Sequence, residues 1–215
     1  MGVHGYSSVQ GLRLFQLRGK DLQPDVVTLF YGWNDHWLGA KPDSRTMGIP
    51  VNSLTGFFFD RLRKYRFFQL MIYVLNPTRQ IAGTQSGPGY RVPPAEYEWT
   101  LKQYVQDIRS GGAVPVLMTA PRAQQLTRLL VKNGQSKNLD ETIAAHDYYV
   151  NLTRKVARET GSRLVDLAKQ FNNPESAELF AGDGIHFRRQ GRIRIAELLY
   201  QELSDVAAEI FPQDH

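Results

Sequence analysis

Three short apolar runs, separated by long amphipathic stretches, limit the folds available to this chain. The runs are rich in β-branched and aromatic residues, which is typical of strands buried on both faces of a sheet. Strands that alternate with helices connect through right-handed crossovers, so the pattern predicts an α/β fold with a parallel sheet between layers of helices. The predicted strands are DVVTLFY (25–31), AVPVLMTAP (113–121) and SRLVDLA (162–168).

Helix start and stop signals fall between these runs. Ser7 and Gln10 form a capping-box pattern at the start of the first helix. Proline begins the second helix, and glycine ends the second and the third. The predicted helices cover about residues 7–19, 94–110, 140–161 and 187–210.

The composition fits one globular domain and excludes several classes of protein. Of the 215 residues, 42% are hydrophobic and 22% are charged, which suits a single core and argues against disorder. Cysteine is absent, so disulfides, thiol catalysis and cysteine-bound metals are excluded. The net charge of +5 permits contact with acidic polymers or anionic lipid without requiring it. The basic clusters at 61–66 and 188–194 match no nucleic-acid motif, so we predict no nucleic-acid partner.

A long stretch after the first strand breaks the alternation of strands and helices. Connections of this length are uncommon in a compact domain unless they are functional. We therefore predict one domain over 1–215 with an insertion at about 41–94, where a helix presents Phe58, Leu62 and Tyr65 on one face. Two interpretations remain open for this helix. It either covers the sheet, or it forms a lid or a membrane-surface helix within 57–75, where aromatic and basic residues alternate.

Groups suited to acyl transfer follow the strands, at the edge where open α/β sheets place their sites. Asn34, directly after the first strand, carries an amide that donates hydrogen bonds. Gly5 precedes a helix N-terminus, where a backbone N–H is free to bind negative charge. Near the C-terminus, Asp183 and His186 form a carboxylate–imidazole pair. The donors suit a tetrahedral oxyanion, and the pair suits a general base and the acid that orients it.

Each of these signals also has a simpler structural interpretation. The loop Gly-Trp-Asn-Asp (32–35) is typical of a tight turn, and an Asp–His pair three residues apart is common at surfaces. Trp33 and Trp37 are interpreted either as walls of an acyl or sugar pocket or as core packing. His146, beside Asp147 in a helix, is predicted to lie at the surface.

Three segments of the chain, taken in their order along the sequence, resemble sequence blocks of the SGNH, or GDSL-type, esterase and lipase family. The resemblance implies a flavodoxin-like three-layer α/β/α fold and hydrolysis of a small-molecule or carbohydrate ester, with no metal or organic cofactor. The segments are GVHGYSSVQG (2–11), PDVVTLFYGWNDHW (24–37) and LFAGDGIHFRRQGRIRIAELL (179–199).

The resemblance also implies roles for individual residues. Asp183 and His186 match the acid and base of the family's catalytic triad, while the N–H of Gly5 and the amide of Asn34 match its oxyanion hole. The family carries its nucleophile in a Gly-Asp-Ser block at the end of its first strand, and no Gly-Asp-Ser occurs in this chain. Ser7 is an unsuitable replacement because it is predicted to cap a helix. We therefore assign no nucleophile within the chain.

The missing block predicts an N-terminally truncated fold, without the first strand and most of the second. In the family the first strand is central, so its loss leaves the run 25–31 with an unpaired apolar edge. We expect the chain on its own to be inactive and poorly soluble unless another chain supplies the missing strand. The alternative functions are O-acyl transfer to, or deacetylation of, a carbohydrate or cell-envelope polymer, and non-catalytic binding of carbohydrate or lipid.

Overall fold

The structure is a computed structural model that describes residues 2–46, 89–124 and 138–210. The strands in chain order are β1 (Val26–Phe30), β2 (Leu38–Gly39), β3 (Gly89–Tyr90), β4 (Val114–Met118) and β5 (Arg163–Val165). The α-helices are α1 (Ser8–Leu14), α2 (Asp43–Thr46), α3 (Pro94–Ser110), α4 (Leu139–Thr160), α5 (Leu167–Gln170) and α6 (Arg189–Ile210).

A parallel sheet in the order β1–β4–β5 forms the centre of the described structure. Its three strands lie within the three predicted apolar runs, so the α/β prediction is confirmed. Central β4 alternates between two cores. Leu117 packs with α1, α3 and α4, whereas Val116 and Met118 pack with α5 and α6. Helices therefore cover both faces of the sheet, which gives three layers.

The helices begin and end close to the predicted residues because local capping signals set their limits. The capping box forms as predicted, with the Ser7 hydroxyl accepting from the Gln10 N–H and the Gln10 side chain accepting from the Ser7 N–H. Helix α4 ends at Gly161, whose φ of 58° is left-handed. The first helix differs from its prediction, since α1 continues as a π-helical turn over Phe15–Gly19.

Strands β2 and β3 form a small antiparallel ribbon at the flanks of the predicted insertion. Residues 47–88 between them lie outside the described residues, and so do the predicted helix with Phe58, Leu62 and Tyr65 and the predicted membrane-surface segment 57–75. Among the helices of the described ranges, none combines the length and apolar character that a membrane crossing requires.

Strand β1 lies at one edge of the sheet. Within the described residues its only partner is β4. Leu29 of β1 is buried, whereas the next residue, Phe30, is 43% exposed. A groove of about 560 Å³ follows this edge from Pro24 to Asn34. Large apolar side chains that line the groove and are exposed are Val3, Leu22 and Phe30.

Candidate active site

The loop between Phe180 and Phe187 holds Asp183 and His186 in direct contact. The Nδ1 of His186 lies 2.6 Å from Oδ2 of Asp183, so the imidazole donates to the carboxylate. The other carboxylate oxygen accepts the N–H groups of Ile185 and His186, each at 3.0 Å. Partial burial by itself would raise the pKa of Asp183, but these hydrogen bonds outweigh it and bring that pKa below its ordinary value. The carboxylate is therefore kept ionised beside the imidazole.

This loop is anchored to the core, which fixes the imidazole. Phe180 and Phe187 pair across the base of the loop with ring centroids 5.0 Å apart. The Ala181 N–H donates to the His186 carbonyl, and the Ala123 N–H donates to the Gly184 carbonyl at 2.9 Å. Because Asp183 occupies Nδ1, the nitrogen left for chemistry is Nε2, on a side chain that is 66% exposed.

Gly5 lies in a tight turn before α1. The Tyr6 N–H donates to the Val3 carbonyl at 3.3 Å, and Gly5 has a φ of 79°. Glycine at the third position of such a turn is typical of type II geometry. The Gly5 N–H bonds to none of the described residues, and no atom lies within 4 Å of a Cβ placed on Gly5. This N–H is therefore available to an external acceptor.

Asn34 contacts the same segment. Its Nδ2 donates to the Tyr6 carbonyl at 3.1 Å, and among the described residues the second hydrogen of the amide has no acceptor. Next to it, the fully buried Asp35 accepts the N–H of Ser8 at 2.7 Å and that of Gly32 at 2.9 Å. Burial raises the pKa of Asp35 to about 6. This carboxylate thus joins the Asn34 loop to the start of α1.

The structure brings the four predicted site residues into one region, where Asp183 contacts His186 directly and the others are linked through His4 and Tyr6. The ring of His4, directly before Gly5, stacks on the ring of His186 with centroids 6.4 Å apart and planes at 17°. Asn34 joins the same turn through Tyr6. An imidazole backed by a carboxylate therefore lies beside a turn with a free N–H and a side-chain amide. This arrangement can move a proton and stabilise an oxyanion, and the individual roles remain predictions.

No serine of the described residues completes this set. The Ser7 hydroxyl donates to Asp43 Oδ2 at 2.7 Å, and both Ser7 and Ser8 are fully buried. Among the described residues, His186 Nε2 has no hydroxyl partner. The described ranges also contain no cluster of three or more His, Asp or Glu side chains that could hold a metal ion.

Two buried histidines lie behind the Asn34 loop, and the prediction that His146 is a surface residue is wrong. His146 is 1% exposed, and its Nε2 lies 2.8 Å from the Ala120 carbonyl. Its Nδ1 lies 3.1 Å from Nε2 of His36, which is 3% exposed. His146 is enclosed by Trp33, His36 and the Ala120 carbonyl, which come from other parts of the chain, so a local sequence pattern does not reveal its burial.

The tryptophans on either side of Asn34 belong to this packing. Trp37 is buried against Trp33, Ile143 and Ile185. The Trp33 ring stacks on His146 with centroids 3.9 Å apart. The core-packing interpretation therefore accounts for Trp37, while Trp33 and Ile185 join the Asn34 loop to the loop that carries His186.

Arg91 was missed by sequence reasoning. It lies directly after β3, and its guanidinium contacts Asp43, Gln10 and the carbonyl of Gly5. Its partners lie up to 86 positions away, and nothing in the local sequence distinguishes Arg91 from a solvated surface arginine.

Comparison with solved structures identifies the fold. A lipase/acylhydrolase from Enterococcus faecalis matches with a TM-score of 0.56 at 16% identity, over 93% of this chain and 71% of that one. A GDSL-like lipase from Bacteroides thetaiotaomicron VPI-5482 gives 0.56 at 13% identity, over 95% and 74%. An acetylxylan esterase from Geobacillus stearothermophilus gives 0.51 at 18% identity, over 92% and 68%. At these identities the likeness shows the fold alone.

Comparison of the sequence with curated proteins gave no match. In contrast, the family model of the GDSL-like Lipase/Acylhydrolase family matches residues 1–192, which is most of the chain. The match includes both loops of the candidate site and the strands that position them. This chain therefore belongs to the GDSL-like lipase/acylhydrolase family.

Proposed function

We propose that this site hydrolyses carboxylic esters by serine-type catalysis, with the nucleophile supplied by a strand that pairs with β1. The observation that carries the proposal is the 2.6 Å contact between His186 Nδ1 and Asp183, which leaves Nε2 as the exposed base beside the Gly5 turn. An imidazole oriented by a carboxylate can accept a proton from a serine hydroxyl.

In the proposed reaction, Nε2 of His186 takes the hydroxyl proton as the serine oxygen attacks the ester carbonyl. The carbonyl electrons move to oxygen, and the N–H of Gly5 and the amide of Asn34 donate to this oxyanion. As the oxyanion collapses, the bond to the alcohol breaks, and His186 returns the proton to the leaving alcohol. Water then repeats the sequence on the acyl-enzyme and releases the carboxylic acid.

The exposed edge of β1 supports the second part of the proposal. The described sheet is parallel, and the chain continues from the C-terminal end of β1 to Asn34. A strand that added in parallel would therefore end beside the site. The groove along this edge is lined by β1 and by residues 2–6, so an added strand would contact both.

The experiment uses p-nitrophenyl acetate as the ester and a synthetic strand as the partner. The peptide carries a short apolar strand followed by Gly-Asp-Ser, and the matched control peptide ends in Gly-Asp-Ala. We expect the chain alone to be inactive, the serine peptide to give turnover, and the alanine peptide to give none. Replacing the base, His186→Ala, should abolish the turnover without changing peptide binding, measured by calorimetry.

Two results would contradict the proposal in different ways. Turnover by the chain alone that disappears in His186→Ala would place the nucleophile within the chain and refute the strand. A serine peptide that binds without giving turnover, while the chain melts cooperatively, would refute catalysis and favour a non-catalytic binding module.

A further inference from the structure

Arg91 connects the Gly5 turn to the base of the β2–β3 ribbon. One guanidinium nitrogen donates to Asp43 Oδ2 at 2.8 Å and to Gln10 Oε1 at 3.0 Å, and another donates to the Gly5 carbonyl at 3.1 Å. The Arg91 Nε also donates to Asp43, at 3.2 Å. A planar guanidinium carries several donors in fixed directions and can hold three acceptors at once. The ammonium group of a lysine is a point charge and does not fix the directions of its acceptors in this way.

The contacts made by Arg91 are sheltered from solvent. The side chains of Arg91 and Asp43 are only 21% and 11% exposed. Asp43 also accepts the Ser7 hydroxyl, and its backbone N–H donates to the Arg91 carbonyl at 2.7 Å. The Arg91 N–H in turn donates to the Trp37 carbonyl at 2.9 Å. The backbone of Arg91 is thus bonded to the segment that carries Asn34, while its guanidinium holds Asp43, Gln10 and Gly5.

These contacts determine how the Gly5 turn is oriented. Two carbonyls follow the turn, and each is bonded from outside: that of Gly5 by Arg91, and that of Tyr6 by Asn34. The Tyr6 N–H closes the turn on Val3. The Gly5 N–H belongs to the peptide that precedes Gly5, and because glycine is conformationally permissive, rotation at Gly5 can change its direction relative to the peptide that follows. Arg91 and Val3 hold the following peptide by its carbonyl and its N–H, and these bonds limit that rotation.

We propose that Arg91, held by Asp43, is a positioning residue that fixes the Gly5 turn so that its free N–H faces the oxyanion beside Asn34. The inference rests on the proposed function for the identity of the acceptor. It adds that the oxyanion donor, the Gly5 N–H, depends on the guanidinium of Arg91, a residue that follows the segment 47–88 in the sequence. Arg91 acts through Gly5 and does not itself touch the substrate.

The test follows the Gly5 amide by NMR in the full chain labelled with ¹⁵N-glycine. In the ligand-free protein, Arg91→Ala should shift the Gly5 resonance, and guanidinium chloride at low concentration should restore it, whereas sodium chloride at equal ionic strength should not. Arg91→Lys should give a partial shift. The matched control is Arg154→Met, which removes an arginine bonded to Asp166 at 2.9 Å in another part of the molecule and should leave the Gly5 resonance unchanged.

A second readout separates this inference from the proposed function. Acetate, the product of acetyl ester hydrolysis, should shift the Gly5 amide and the Asn34 side-chain amide of the wild-type protein. The response of Gly5 should be lost in Arg91→Ala and regained with guanidinium. If wild type shows no acetate response at either group, the oxyanion site is refuted, and this inference is refuted with it.

The positioning role alone would be overturned by a different result. In that case the wild type responds to acetate, and the Arg91→Ala chain has the same Gly5 resonance and the same response. Thermal melting by circular dichroism establishes that each variant is folded. If Arg91→Ala does not fold, Arg91→Lys decides, because it retains the positive charge beside Asp43. An Arg91→Lys chain with a wild-type Gly5 resonance and wild-type acetate response would then refute the inference.

Discussion

The Gly5 turn illustrates how a single residue can serve both the fold and the site. Its φ of 79° lies in the left-handed region, where side chains with a Cβ are disfavoured by about 1–2 kcal/mol. Beyond its two neighbours in the chain, no atom of the described residues lies within 4 Å of a Cβ at this position, so backbone strain is the expected cost of a substitution. The glycine is required by the backbone geometry of the turn and not by crowding.

We therefore expect Gly5→Ala to lower the free energy of unfolding by about 1 kcal/mol, since the strain is confined to one residue. Chemical denaturation measures the change. Gly182→Ala is the matched control, because Gly182 also has no atom within 4 Å of a Cβ but has no left-handed φ. Equal stabilities for the two variants would show that the turn does not hold Gly5 in the left-handed region.

At this scale, the sequence predicts contacts that are local and misses those that are distant. Asp183 and His186 lie three residues apart, so the loop that joins them also brings them into contact. The contact between Arg91 and Gly5 spans 86 positions and depends on how the ribbon folds back on α1. The buried position of His146 likewise depends on tertiary packing, which a surface pattern of neighbouring charged residues does not reveal.

Among the strands and helices, β1 has the largest difference between the surroundings that its sequence predicts and those that it has in the structure. Its run is apolar on both faces, as in a strand buried between layers, yet β1 has one partner within the described sheet. Apolar edge strands tend to pair with other chains, and native proteins usually protect them with charge or proline. The expected low solubility of the chain is argued from this edge and stays a prediction.

We expect Phe30→Lys to reduce self-association of the chain, because a charge at the edge opposes pairing with a second strand. Analytical ultracentrifugation measures the fraction that is monomeric. The matched control is Trp99→Lys, which removes an exposed aromatic side chain from α3, 60% accessible against 43% for Phe30. If both variants lower association equally, general surface hydrophobicity and not the β1 edge is responsible.

The strands and helices themselves were predicted well because their signals are short-range. Runs of β-branched residues, a capping box and terminal glycines each act within a few positions of the element they define. The π-helical turn at Phe15–Gly19 was not predicted, and its sequence carries no proline. The apolar runs predict a parallel sheet but not the strand order β1–β4–β5. The edge position of the run that contains β1 was expected from the family resemblance alone, through the missing Gly-Asp-Ser block.

Across the whole molecule, two buried titratable systems act on stability in opposite directions. Burial lowers the pKa of His36 and of His146 from 6.5 to about 3 in the folded chain. Below pH 6.5 the unfolded chain therefore binds protons that the folded chain does not, and stability is lost as the pH falls. Asp35 does the reverse, since burial raises its pKa from 3.8 to about 6 and the folded chain holds the extra proton.

The balance gives a defined pH dependence. Each group changes the free energy of unfolding by about 1.4 kcal/mol per pH unit within its window. Between pH 6 and 4, two histidines oppose one carboxyl group, so the wild-type chain should lose about 1.4 kcal/mol per pH unit on acidification. His146→Gln leaves one histidine against Asp35, and its stability should be nearly constant over that range. Urea denaturation at several pH values measures both slopes.

A further variant tests whether the buried groups cause this slope. Asp35→Asn removes the opposing titration, so the loss on acidification should steepen to about 2.8 kcal/mol per pH unit. A wild-type stability that stays constant between pH 6 and 4 would mean that one of the two histidines, His36 or His146, takes up a proton in the folded chain. A stability that rises on acidification over the same range would mean that both do, so that burial does not keep the pair behind the Asn34 loop neutral.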